Sequence, residues 1–550
     1  MDWVGLATSA AVAYDLEGIA DLYTQTINSL SNVYAIHASR ILQGYYVERN
    51  GQLEIKAALE DVASKKTIDQ FQVAGPIKGG VTPLANELAK RLNARARPFG
   101  TSNPVAFRAY GEALGASDRA DALKDLEAAT QADPNFGAAY IAWKRLLATL
   151  PATGAGDASP VAARAARLGP IERAKFDDNL DALAKFTPAD ASVFQRRAQL
   201  RLRQRKIASA VQDFEMAARL DPDEPENWNQ LGYALAYARD LAGARQALET
   251  YQHLLAPENA NALDSLGEVS FYLGDFAAAA NYFLQAQAKN PGQFRGVELL
   301  KAAQARLMLG DLAGADALFQ KYIGSPPDSV SGPAALEQAQ WEFLTGRRKG
   351  AIARLEKLIP QLDSDRQSLA YSQLSIWKLL TGDAQSAAAL AAMAAERAVT
   401  PGARNLSAIC RAVTSIPAAG VGNPLVQAYA LLLAKKFPEA KPVLSGLYLE
   451  TNPVNDGPIR TLLAWDYFEL GQIADLEPLL ANDPLPISTG ESVFACLTFP
   501  RYVFLKGVAL EKEGKRDQAK RSYELFLKYA GDVPEVFGDV SQARQRISHL

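Results

Sequence analysis

From Pro225 to Pro291 the apolar positions fall three and four residues apart, run after run, with a polar break between runs. The stretch reads PENWNQLGYALAYARDLAGARQALETYQHLLAPENANALDSLGEVSFYLGDFAAAANYFLQAQAKNP. That spacing lines one face of a helix, so the pattern predicts a helix, a break, a second helix and a proline stop, written twice. Aligned on Gly232 and Gly267, 35 residues apart, the halves match: Trp228, Leu231, Gly232, Ala244 and Pro257 answer to Leu263, Leu266, Gly267, Ala279 and Pro291, with one residue of slip at the end. The break is marked too. Gly274 is followed by Gly310, Gly346 and Gly382, each 36 residues after the last. A glycine just past a helix end suits a left-handed residue. Five residues beyond each stands a small side chain, Ala279, Ala315, Ala351 or Ala387, where two helices can approach closely.

This pattern resembles the tetratricopeptide repeat family, whose unit carries a bulky residue, Leu-Gly, an aromatic, Ala, an aromatic, Ala and Pro over about 34 residues. Phe283 and Ala286 complete it in the second copy, and Leu248 and Tyr251 stand in their places in the first. The resemblance implies a mainly α fold, a right-handed solenoid of helix pairs in which each pair is stable only when stacked on the next. It also implies a concave groove that holds a protein or peptide partner, lined by the first helix of each unit at four-residue spacing. Carried onto this chain, those positions are Gln195, Gln199 and Arg203; Asn229, Tyr233 and Tyr237; Asp264, Glu268 and Tyr272; and Leu300, Gln304 and Met308. The co-chaperone branch of the family grips peptide carboxylates with Lys and Asn at such places. Only Asn229 matches here, so that ligand is not expected.

Other units are looser. Asn103 to Pro134 forms a weak first one, Phe136 to Leu150 opens another, and Pro151 to Pro160 interrupts it as a loop. Ser192 to Pro222 is well formed, with Phe214, Ala217 and Pro222 in place. Beyond Ala387 the pattern loosens, although Leu425 to Pro453, Ile459 to Leu480 and Arg501 to Tyr529 remain recognisable. Gly471 is followed by Leu476 where the small residue belongs, which predicts a distorted unit. About eleven units result, spanning 103–550 and clearest over 191–398.

Residues 1–95 have another texture. Leu42 to Glu48 and Leu53 to Leu59 alternate or are rich in aromatics, and Asn50-Gly51 between them is a strong hairpin signal. Thr67 to Val73 reads as a third strand, Thr82-Pro83 opens a helix to about Ala94, and Leu16 to Leu30 looks helical. The run GYYVERNGQLEIKAALEDVASKK, 44–66, is similar to the amino-terminal domain of TolB-like families found ahead of such repeats in bacterial proteins. A small α/β domain over 1–95 is therefore expected, joined by a polar linker from Arg95 to Ser102 to a repeat array that folds without it.

Composition narrows the function. The net charge is 58 − 61 = −3 over 550 residues, so no global field favours nucleic acid or an anionic membrane. Two cysteines and three histidines supply no thiolate zinc site, no His-x-x-x-His pair and no disulfide framework; Gly79-Gly80 lacks the Gly-Lys-Ser/Thr of a phosphate loop. No cofactor and no catalysis are expected. The longest uncharged run, Ala412 to Ala434, is broken by Pro417, Gly420, Gly422 and Pro424 and reads as a loop rather than a membrane span. The opening MDWVGLATSAAVAY has Asp2 and no Lys or Arg, a poor secretory signal, which leaves bacterial cytoplasm and periplasm both open. Six basic residues between Arg196 and Lys206 are scattered round one helix. They are neutralised by nearby acids such as Asp213 and Asp221, or they meet an acidic partner. The favoured reading is a non-enzymatic scaffold for protein or peptide partners. The alternative is the sensory or assembly portion of a larger bacterial signalling protein.

Overall fold

The computed structural model describes residues 3–27, 33, 37–149, 168–324, 334–414, 423–451, 453, 456–485, 492–531 and 537–550. The Pro151–Pro160 interruption and residues 415–422 of the uncharged run lie outside them; the described remainder of that run is mostly helix, within Pro401–Thr414 and Pro424–Leu433, not loop. The fold is mainly α, built of helix pairs of the tetratricopeptide kind behind a small three-stranded sheet. Two compact units emerge: 1–201 with 208–228, and 202–207 with 229–550.

In the first unit, β1 (Arg40–Arg49), β2 (Gln52–Asp61) and β3 (Lys66–Pro76) form an antiparallel meander in that order. The expected Asn-Gly turn is there, both residues at positive φ (51° and 74°). One sheet face supplies Leu53, Ile55, Ala57 and Val73 to a core shared with the helices Trp3–Asp15, Thr82–Leu92, Pro104–Gly115 and Arg119–Ala132. Two expectations need correction. The first helix is Trp3–Asp15, not Leu16 to Leu30, and residues 16–27 carry no helix. Gly18 turns the chain at φ 80°, where a Cβ would meet the Phe186 carbonyl at 2.9 Å. The Arg95 to Ser102 segment is not a linker. Phe99, 5 % exposed, meets Tyr14, Phe107 and Phe136 edge to face at 5.2, 5.5 and 5.4 Å. Its amide bonds Asn86 Oδ1 at 3.0 Å, and the Arg97 amide bonds the Asp15 carbonyl at 2.7 Å. Residues 1–95 and the first helix pair thus share one core.

In the second unit the repeat chemistry is visible atom by atom. A Cβ on Gly232 would meet Leu248 at 2.6 Å, one on Gly267 would meet Phe283 at 2.5 Å, and one on Gly507 would meet Tyr523 at 2.6 Å. The separation is 16 residues each time, so the first helix keeps a notch for the large side chain of the second. Gly274, Gly310, Gly346 and Gly382 all take positive φ (85°, 76°, 90°, 89°). The next amide bonds back five residues, Asp275 to Ser270 and Arg347 to Glu342 at 2.8 Å, Asp311 to Arg306 at 3.0 Å, Asp383 to Lys378 at 2.9 Å, which closes the helix end. Asp275, Asp311 and Asp383 then cap the following helices through Ala278, Gly314 and Ser386 amides. The small residues Ala279, Ala315, Ala351 and Ala387 are fully buried.

The unit flagged at Gly471 is distorted as expected. Its second helix is cut to Leu476–Leu480, five residues, where Arg516–Ala530 has fifteen. Leu476 is fully buried, and the chain leaves the helix at Ala481 in an irregular path to Leu485.

Candidate binding face

First helices of the second unit bring three of the four sequence-derived trios onto neighbouring turns. Ser265 Oγ donates to Asn229 Oδ1 at 3.1 Å, and Tyr233 Oη donates to Glu268 Oε2 at 2.6 Å. Lys301 Nζ, from the next first helix, donates to Asp264 at 2.7 and 2.8 Å and to Glu268 at 2.6 Å. Burial works against the Lys301 ammonium, but the Glu268 and Asp264 carboxylates outweigh it and hold the charge. Burial also pushes the Asp264 carboxyl up, and it raises the Tyr233 and Tyr237 hydroxyls. The Tyr237 and Tyr272 rings meet edge to face at 5.3 Å.

These positions differ in access. Gln199 and Arg203 are exposed and Gln195 is half-buried. Asn229, Tyr233, Tyr237, Glu268, Tyr272 and Met308 are half-buried, and Asp264 is 8 % and Gln304 1 % exposed. Gln304 therefore faces the interior. Tyr233 and Tyr272, expected to line the groove, have their hydroxyls engaged.

What engages Tyr272 is a segment of the same unit some 210 residues on. Asn482 Nδ2 donates to Tyr272 Oη at 2.8 Å, and the Asp483 amide donates to the Tyr272 carbonyl at 2.9 Å. Arg239 Nη1 donates to the Ala481 carbonyl at 2.8 Å. Leu485 packs against the buried cluster of Phe271, Ala279, Ala280, Phe283, Ala302 and Ala305. On its other side the segment is tied to later helices. Arg460 Nη1 donates to the Leu479 and Asn482 carbonyls at 2.8 and 3.1 Å, Tyr502 Oη to Asp483, and Lys506 Nζ to the Leu480 carbonyl at 2.8 Å. Sequence reasoning missed Arg460, Asn482, Asp483 and Tyr502. The one signal was Leu476 in place of alanine, since a shortened helix frees chain to go elsewhere.

The basic cluster resolves into ion pairs. Arg197 and Arg201 both reach the buried Asp213 at 2.7 Å. Arg205 pairs with Asp456 at 2.8 Å and lies 3.6 Å over the Tyr448 ring. Arg203 stays exposed. Cys410 and Cys496 are buried thiols that form no disulfide. Among the described residues no group of three His, Cys, Asp or Glu could hold a metal ion, and no helix is long and apolar enough to cross a membrane.

Comparisons with known proteins found repeat proteins among those similar to this chain. A TPR repeat-containing protein of Pseudomonas aeruginosa is 29 % identical over 104 residues, 19 % of this chain. The chain spans about a fifth (18 %) of the length of that curated relative. Among solved structures, PilW, a type IV pilus biogenesis factor, is similar over 42 % of this chain and 94 % of its own, at 16 % identity and a TM-score of 0.28. A tetratricopeptide repeat protein from Parabacteroides merdae covers 55 % of this chain and 99 % of its own, at 11 % identity and 0.29. Pseudomonas aeruginosa PilF covers 40 % and 88 %, at 17 % and 0.24. No family model matches the chain.

Proposed function

We propose that the chain is a non-enzymatic scaffold that binds a protein or peptide partner on the first-helix face of its repeats. The positions taken to carry binding in the second unit are Arg203, Asn229, Tyr233, Tyr237, Asp264, Glu268 and Tyr272; Gln195 and Gln199 are the corresponding positions of the first unit. The observation that carries this reading is the seating of Ala481–Leu485, an irregular stretch gripped there through one main-chain amide, one main-chain carbonyl, one carboxamide and one leucine. A face that holds its own chain in this way has the chemistry to hold another. Tyrosines supply large contact area at low conformational cost, which is why they are enriched among interface hot spots.

The test is site-specific photo-cross-linking in the bacterial host. A photoreactive residue at Arg203 or Ala238, both exposed, should capture one defined protein. The same residue at Ala389, exposed on a second helix, should not. Capture that is equal at both places, or absent from the face, rejects the assignment. Replacing Tyr233 and Tyr272 with Ala should weaken the captured partner's binding at least about tenfold, roughly 1.4 kcal/mol. If affinity is unchanged, the tyrosines serve packing alone.

A further inference from the structure

We infer that Ala481–Leu485 occupies the surface a partner uses, so the partner must displace it. The partner that fits is an irregular protein segment lying there, with a carboxamide for the Tyr272 hydroxyl and a leucine-sized side chain three residues later. This rests on the reading above that the face binds protein.

Three observations converge. The segment does not have a core's composition: Ala-Asn-Asp-Pro-Leu offers one large apolar side chain, and Leu485 is only partly buried. Its hold on the face consists of contacts another peptide reproduces, namely the Asp483 amide on the Tyr272 carbonyl, Arg239 on the Ala481 carbonyl, Asn482 on the Tyr272 hydroxyl, and Leu485 against the buried cluster that contains Phe271 and Phe283. Exchange of one such segment for another therefore replaces hydrogen bonds with equivalent ones. The opposite side of the segment is anchored independently, Asp483 to Tyr502 and Lys506, and the Leu479 carbonyl to Arg460. When it leaves the face it stays attached to its own helices, so it rebinds as an intramolecular competitor at high effective concentration.

The probe is a fluorescent heptapeptide, Leu-Leu-Ala-Asn-Asp-Pro-Leu, the chain's own residues 479–485, titrated into the full-length protein. The wild type, its face filled, should bind it weakly. The double variant Asn482→Ala with Leu485→Ala should bind it at least tenfold tighter, and adding Tyr272→Ala should remove that gain. Leu485→Ala alone, a milder change, should move affinity in the same direction. Equal affinity for wild type and variants overturns the proposal. So does loss of the cooperative melt in both the double and the single variant, which would make the segment indispensable core. Cross-linked partner capture at Ala238 separates the two readings. Capture unchanged between wild type and double variant refutes the competition and leaves the face standing, whereas no capture from either refutes the face itself.

Discussion

Glu298 lies one turn before Lys301, its side chain 1 % exposed, in the field of Asp264. Burial lifts its carboxyl from an ordinary 4.5 to about 7. Asp466, fully buried, rises to about 7 from 3.8 for the same reason, with Lys441 opposing. A carboxyl whose pKa is higher folded than unfolded holds its proton more tightly in the folded state. Its stabilising contribution is complete below the unfolded value, near 4 to 4.5 here, and is lost as pH rises through about 7. The melting temperature should therefore fall between pH 5 and pH 8. Glu298→Gln should flatten that fall and leave the variant more stable than wild type at pH 8. Thermal melts at pH 5, 6.5 and 8 decide it, and a wild type that is more stable at pH 8 than at pH 5 refutes the assignment.

At the scale of elements, turns and notches were legible in the sequence and the front boundary was not. Gly274, Gly310, Gly346 and Gly382 could be read because positive φ restricts residue choice locally. Gly232 and Gly267 could be read because a notch and the side chain filling it recur at fixed spacing. Phe99 was misread because nothing within Arg95 to Ser102 reveals that its ring sits among Tyr14, Phe107 and Phe136. The filled face was illegible for the same reason, since Tyr272 and Asn482 are 210 residues apart and no local pattern links them. The first helix pair leans on the front segment: Gly111 lies so close to Ala7 that an added Cβ would stand 2.9 Å away. A chain beginning at Asn103 should lose cooperative unfolding of the Pro104–Gly115 and Arg119–Ala132 helices and expose Phe107 and Phe136. Hydrogen exchange checks this, and unchanged protection of those helices would restore the boundary at 95–102.

Across the second unit, contacts join stretches that a simple repeat array keeps apart. Tyr529 Oη donates to the Leu307 carbonyl, and Lys528 Nζ donates to the Gly310 carbonyl at 2.6 Å. Gly531 packs so tightly on Gly346 that an added Cβ would stand 2.2 Å from its carbonyl oxygen. In an open solenoid each repeat feels only its neighbours, whereas here disturbance at one place should be felt far along the chain. Gly531→Val should cost on the order of 1–3 kcal/mol, as overpacking does. It should also speed hydrogen exchange in Val297–Met308 and Ala334–Leu344 as well as in Arg516–Ala530. Faster exchange confined to the last of these would mean the contacts carry no coupling.

The position of Ala481–Leu485 so late in the chain sets a timetable during synthesis. Tyr272 leaves the ribosome about 210 residues before Asn482 can reach it. At about 5–20 residues per second that interval is on the order of 10–40 s. For that time the nascent first helices present their tyrosine face bare to whatever the cell supplies.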